Sequence, residues 1–168
     1  DGRNLQFIVA RKPDDPFSAT VLSENMAKQT VMIEGPAGNF VLQEDSSTPA
    51  IFMAKGAGFA PIKSLVEQAI TIDNAEGLQL IHVGGNPPGS SLDNLCRAWS
   101  DSLDNFVYSD LPANTGTAEL IEVLSSALAG VVKADVYLAG PEDWLQTLID
   151  AAYTKGLQPK DWHYWAIS

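Results

Sequence analysis

The chain has 168 residues, 45% of them hydrophobic, enough to bury one substantial core or two small ones packed together. Ten Lys and Arg stand against 21 Asp and Glu, a formal net charge of −11, which argues against a nucleic-acid groove or an anionic membrane surface as the main partner. Cys96 is the only cysteine, so this chain builds neither an internal disulfide nor a four-cysteine iron–sulfur cluster, and a reducing, cytoplasmic compartment is expected.

No apolar run approaches the roughly 20 residues needed to span a bilayer, and no signal segment is expected at the start. Residues 5–11 alternate as a half-buried strand would. Pro16-Phe17-Ser18 then opens a short predicted helix running to about residue 26, capped by Ser18 or Asp15. Residues 30–34 and 39–42 are read as further strands, separated by Gly35-Pro36-Ala37-Gly38, so the front section is expected to be antiparallel β. The polar stretch 43–49 reads as a linker.

From Ala50 the pattern changes to strand, helix, strand, helix. Strands are predicted at 50–54, 78–83, 105–108, 135–139 and about 162–167, and amphipathic helices at about 60–72, 91–101, 117–129 and 142–155. This alternation implies an α/β fold with a five-stranded parallel sheet and helices on both faces. Ligands in such sheets sit beyond the carboxyl ends of the strands, where the strand order reverses. Gly56, Gly84 and Gly140 each follow a predicted strand end, so their turns are expected to meet on one edge.

The stretch Lys55-Gly56-Ala57-Gly58-Phe59-Ala60-Pro61 is the strongest local signal, an apolar strand entering a glycine turn and then a helix. Glycines let backbone approach an anion, and the free amides and dipole of the helix start favour negative charge. Proline suits that first turn because the amide hydrogen it lacks has no partner there. A phosphate cradle is expected; the plain alternative is an ordinary tight strand-to-helix turn.

Three motifs, in this order, resemble one family. Gly35-Pro36-Ala37-Gly38-Asn39-Phe40 is similar to the Gly-Pro-x-Gly-x-Phe signature that ends the flavin-binding barrel of the ferredoxin–NADP reductase superfamily. Residues 53–61 resemble its pyridine-nucleotide loop, and Val136-Tyr137-Leu138-Ala139-Gly140-Pro141 its late strand ending in Cys-Gly-Pro. Val83-Gly84-Gly85-Asn86 with Leu92-Asp93-Asn94-Leu95 is similar to the second strand and helix of its flavin reductases, and Asn114-Thr115-Gly116 to the approach to its third helix. The likeness covers nearly the whole chain.

The resemblance implies a Rossmann-like NAD(P)H-binding domain at 50–168, preceded at 1–45 by the trailing strands of a flavin-binding β-barrel. It implies hydride exchange between NAD(P)H and a flavin, with electrons passed onward to a protein or small acceptor. By this likeness Lys55, Gly56, Ala57, Gly58, Ala60 and Pro61 would hold the pyrophosphate, Gly84, Gly85 and Asn86 would face the adenosine, and Ala139, Gly140, Pro141 and Glu142 would line the nicotinamide side. Trp165 would cover the flavin ring, although alternation in a last strand accounts for the same aromatic pattern.

Departures from the family pattern matter as much. Ala57 replaces the loop threonine, Lys55 a glycine, and Ala139 the cysteine before Gly-Pro. The Arg-x-Tyr-Ser/Thr motif that holds FAD in the family is absent, so the chain is read as beginning just after it, and FAD is expected only in a complete protein. Asn86 stands where NADP-preferring relatives often carry arginine, and Asp93 and Asn94 where they tend to offer Lys, Arg or Tyr, which leans toward NADH, since a 2′-phosphate wants cationic donors. Ser90-Ser91 resemble serines that meet a 2′-phosphate, and a flexible Pro-Gly loop at 86–91 is the plain alternative.

His82 and His163, the only histidines, have no metal-ligand spacing, no Gly-x-Ser-x-Gly elbow supports a hydrolase, and Cys96 reads as packing. Two other readings stay open. One is a catalytically weakened nucleotide-sensing or electron-transfer docking module; the other is an α/β scaffold without ligand.

Overall fold

A computed structural model describes the chain except residues 1–5, 8, 10–12, 24–25, 27–28, 36–37, 86–89, 132, 158–160 and 168. It divides into two compact units, Asp1–Asn39 and Phe40–Ser168.

The first unit carries one helix, α1 (Pro16–Val21). Asp15 is its cap, its carboxylate accepting from the amides of Phe17 at 3.3 Å and Ser18 at 2.8 Å, while Pro16 takes the first helical position. The helix stops short of the expected residue 26. Thr20 Oγ1 bonds back to the Pro16 carbonyl at 2.7 Å and Ser23 Oγ to that of Thr20 at 2.7 Å, local bonds that compete with helix continuation.

The antiparallel strands expected at 30–34 and 39–42 do not form; no strand precedes Ala50 among the described residues, and the segment 5–11 lies largely outside them. A strand exists only within a ladder. Val31, Met32 and Ile33 alternate in type but stay 55%, 99% and 53% exposed, with no sheet to pack against.

The second unit is the expected α/β sheet. Five strands, β1 (Ala50–Lys55), β2 (Leu78–Val83), β3 (Phe106–Leu111), β4 (Asp135–Gly140) and β5 (Asp161–Ala166), lie in the order β3-β2-β1-β4-β5. Every neighbouring pair is parallel, with Ala54 opposite His82 on one side and Ala139 on the other. The helices α2 (Phe59–Ile72), α3 (Ser91–Ser102), α4 (Thr117–Ala127) and α5 (Glu142–Thr154) connect them.

Strand alternation sorts the core into two layers. Phe52, Leu80 and Tyr137 face α2 and α3 with Ile62, Val66 and Cys96, whereas Met53, Ile81 and Leu138 face α4 and α5 with Leu120, Leu124 and Leu148. Burial on both faces is why these strands read as near-continuous apolar runs. The chain proceeds from β1 outward to β3, then crosses back to β4 beside β1, so the strand order reverses between β1 and β4.

The stretch read as a linker is docked on this sheet. Gln43 N donates to the Tyr137 hydroxyl at 3.0 Å, Ser46 and Thr48 hydroxyls bond the buried Asp135 carboxylate, and Asp135 N donates to the Pro49 carbonyl at 3.0 Å. Phe40 and Leu42 pack onto the core of the α2 face. Among the described residues no helix is long and apolar enough to cross a membrane.

Candidate functional site

The three glycine turns lie side by side, because β2, β1 and β4 are adjacent and parallel and their carboxyl ends share one edge. Gly56 leaves β1 at φ +56°, a conformation that L side chains rarely adopt, and nothing lies within 4 Å of where its Cβ would be. The space above this turn is open.

Gly58 is the opposite case. A Cβ there would run into the Ala139 carbonyl and come within 2.7 Å of the Gly140 nitrogen, so the absence of a side chain lets the start of α2 press onto the end of β4. Gly140 is equally confined, since its Cβ would stand 2.8 Å from the Trp144 ring and 3.1 Å from Lys55 Cβ. At the β2 end, Gly84 turns at φ +72°, and a Cβ on Gly85 would meet the Asp110 carboxylate.

Residues 56–58 form one 3₁₀ turn that runs directly into α2. Helix ends leave backbone amides unpaired, and natural helices answer them with caps or acidic residues. In the sheet's other helices that answer is present: Ser90 caps α3, whose first turn also holds Asp93, Glu119 lies in the first turn of α4, and Glu142 and Asp143 in that of α5. Neither the turn nor α2 has a side-chain cap or a first-turn acid. Among the described sheet helices, α2 alone presents its positive end uncompensated, directly beneath the open space at Gly56.

The neighbouring residues shape the rim. Ala57 is exposed, and Ala60 and Pro61 are half-buried in the first turn of α2. Lys55, the last residue of β1, holds its Nζ 5.7 Å from the centre of the Trp144 ring, a cation–π contact that keeps a positive charge at the boundary of β1 and β4. Ala139 is buried opposite Ala54, while Pro141 and Glu142 are exposed at the start of α5. Trp165 pairs with Ala139 near the carboxyl end of β5, is 38% exposed, and lies 6.4 Å from the Phe40 ring. Asn86 lies outside the described residues.

Two features here escape a sequence reading. His82, with no motif around it, is 3% exposed and stacks on Phe59, the first residue of α2, with ring centres 4.5 Å apart. Burial pushes its pKa from 6.5 down to about 4, so the ring is neutral at physiological pH, and it holds the helix start on the sheet by packing. Asp110 is the second: β3, expected over 105–108, runs from Phe106 to Leu111 and carries Asp110 alongside Gly85. Burial first, and then the negative charge of Asp93, raise the Asp110 carboxyl above its ordinary value.

Asp93 is buried and holds Arg97 Nε at 3.0 Å, so that guanidinium is engaged on its own helix. Tyr108 lies beneath it, 6.0 Å from the Arg97 guanidinium carbon. No group of three or more His, Cys, Asp or Glu is arranged to hold a metal among the described residues.

No family model matches the chain. Over 170 residues it is 28% identical to terephthalate 1,2-dioxygenase, reductase component 2, of Comamonas sp, an alignment covering 97% of this chain and 50% of that protein. It is 33% identical over 107 residues to the CDP-6-deoxy-L-threo-D-glycero-4-hexulose-3-dehydrase reductase of Yersinia pestis, covering 62% of this chain and 31% of that one. A solved structure of the ferredoxin reductase in carbazole 1,9a-dioxygenase superposes with a TM-score of 0.59 at 17% identity, over 79% of this chain and 39% of that chain. The chain is thus similar in sequence to reductase components and in fold to ferredoxin reductases.

The α/β sheet shares the fold of the ferredoxin reductase structure, and the relatives named above are reductases or reductase components. The chain spans about half the length of the curated relatives it matches over its whole extent. The glycine turns at 56, 84 and 140 occupy the ends of three adjacent strands, two of which, β1 and β4, flank the point where the strand order reverses.

Proposed function

We propose that the chain is the NAD(P)H-binding portion of a flavin-dependent oxidoreductase that takes hydride from NAD(P)H to a flavin and passes electrons to an acceptor. The observation that carries this reading is the uncompensated start of α2 beneath the open space at Gly56. A dinucleotide's pyrophosphate fits such a place, where backbone amides and the helix dipole meet negative charge without a competing carboxylate.

On this reading Gly56, Ala57 and Gly58, with Ala60 and Pro61, hold the pyrophosphate, and Lys55 adds positive charge at the rim. Residues 84–86 face the adenosine and 139–142 the nicotinamide side, with Trp165 standing over the flavin. The protein's contribution is positioning, while the bound cofactors supply the hydride and electron chemistry. NADH is favoured over NADPH, because a 2′-phosphate near Gly85 meets the Asp110 carboxylate and the nearby Arg97 is already engaged by Asp93. Residues 1–45 are assigned to the trailing end of the flavin domain on their Gly-Pro-x-Gly-x-Phe motif, FAD to the complete protein, the electron acceptor to a separate component, and the location to the cytoplasm.

The test is titration of the full chain with NADH and NADPH, followed by NADH oxidation with FAD and an added acceptor. Binding of NADH and reduction of FAD are expected; binding of neither nucleotide overturns the proposal. Ala57 and Ala139, which lack the family's hydroxyl and thiol, favour a second reading as a nucleotide-sensing or docking module. NADH binding without flavin reduction in the complete protein selects that one.

A further inference from the structure

Among the described residues no strand pairs with the outer edge of the sheet at β5. Edge strands in natural proteins are protected by lysine, proline, bulges or a covering element, because their free amides and carbonyls pair with any strand that reaches them. Asp161–Ala166 contains no lysine, arginine or proline, and β5 pairs only with β4 among the described residues. The Ile167 amide bonds inward to the Gly140 carbonyl at 2.9 Å, so by the period of two the amides of Trp162, Tyr164 and Ala166 face the open side.

Beside this edge, between β5 and α5, runs a groove of about 410 Å³. Leu145 and Ile149 line its apolar wall, and Tyr153 and Tyr164, residues that are 56% and 62% exposed, flank it. Its charged groups are Glu142 and Asp150, and no cation lines it among the described residues. Gln146 Nε2 donates to Asp150 Oδ1 at 2.9 Å, which orients that carboxylate.

We propose that this edge and groove dock an extended segment of a partner protein that bears arginine or lysine on alternate positions. Main-chain bonds to β5 would supply affinity, and every second side chain would enter the groove. A cation there meets two aromatic faces and two carboxylates, the combination that rewards arginine most. A second copy of this chain is a poor occupant, since it carries the same net charge of −11 and would set like carboxylates against one another.

The test titrates the full chain by calorimetry with a short peptide alternating threonine and arginine. Binding is expected, weakened about tenfold by Asp150→Asn and to a similar extent by Tyr164→Thr. It is expected to vanish when the arginines become glutamates, or when the peptide amides along one edge are N-methylated. Unchanged unfolding midpoints show that the variants keep their fold. Absence of binding at millimolar peptide overturns the proposal, as does equal binding of the N-methylated or glutamate peptide. So does dimerisation of the chain through β5 that excludes the peptide.

Discussion

Gly58 and Ala139 touch through their backbones: the first sits where α2 begins, the second one residue before the end of β4, and no side chain fits between them. That contact brings the positive end of a helix onto the strand where the sheet order reverses. A Cβ on Gly56, two residues earlier, would meet nothing within 4 Å. The two glycines therefore separate stability from ligand binding.

Gly58→Val is expected to lower the stability of the chain by about 2–3 kcal/mol, as overpacking against backbone does. Gly56→Val has open space, so its cost is the strain of positive φ, about 1–2 kcal/mol, while its side chain fills the proposed phosphate position. Denaturant midpoints and NADH affinity measured on both variants check this. Affinity lost in Gly56→Val at modest cost in stability is the expected signature.

His82 predicts an acid limb to the stability profile. Its folded pKa of about 4 lies below the ordinary 6.5, so protonation favours the unfolded chain. The penalty begins as pH falls below about 6.5 and is complete below about 4, reaching about 3 kcal/mol. Its cause is desolvation in the contact with Phe59. His82→Leu is expected to lose this component, which unfolding curves between pH 7 and 4 would show as a shallower slope.

Asp110 sets the expected nucleotide preference. Asp110→Asn removes a negative charge beside Gly85 without adding bulk, and the ratio of NADPH to NADH affinity is expected to rise about tenfold. Parallel titrations with both nucleotides decide it; an unchanged ratio removes Asp110 from the specificity argument.

Cys96 is expected to be inert in the folded chain. It is fully buried, and burial first, with Asp93 next, pushes its thiol up to about 12, leaving almost no thiolate at neutral pH. Labelling by a thiol reagent should follow the unfolding transition; rapid labelling of the native chain would contradict the burial.

Tyr137→Phe tests the docking of residues 40–49 on the sheet. It removes the hydroxyl that accepts from Gln43 N at 3.0 Å while keeping the ring that stacks on Phe52 and His163. A loss of about 1 kcal/mol is expected in the unfolding midpoint.

The order of elements from Ala50 onward was legible because it rests on local periodicity. Strands such as Ile51-Phe52-Met53 are buried on both faces and therefore announce themselves as apolar runs, and α3 shows its buried stripe through Leu92, Cys96 and Trp99. The glycine turns were legible for the same local reason. The front section was not: Val31 to Ile33 have strand character, yet a strand needs a partner that no local pattern names.

Local pattern in the sequence suffices to mark the strands and helices from Ala50 onward and the glycines at the ends of three strands. Only the tertiary structure decided that β4 returns beside β1, which seats those turns together, presses Gly58 onto Ala139, buries His82 under Phe59 and brings Asp110 to Gly85. The reason is physical. Which way a side chain points repeats every few residues along the backbone, whereas which strand lies next to which depends on where the crossovers carry the chain.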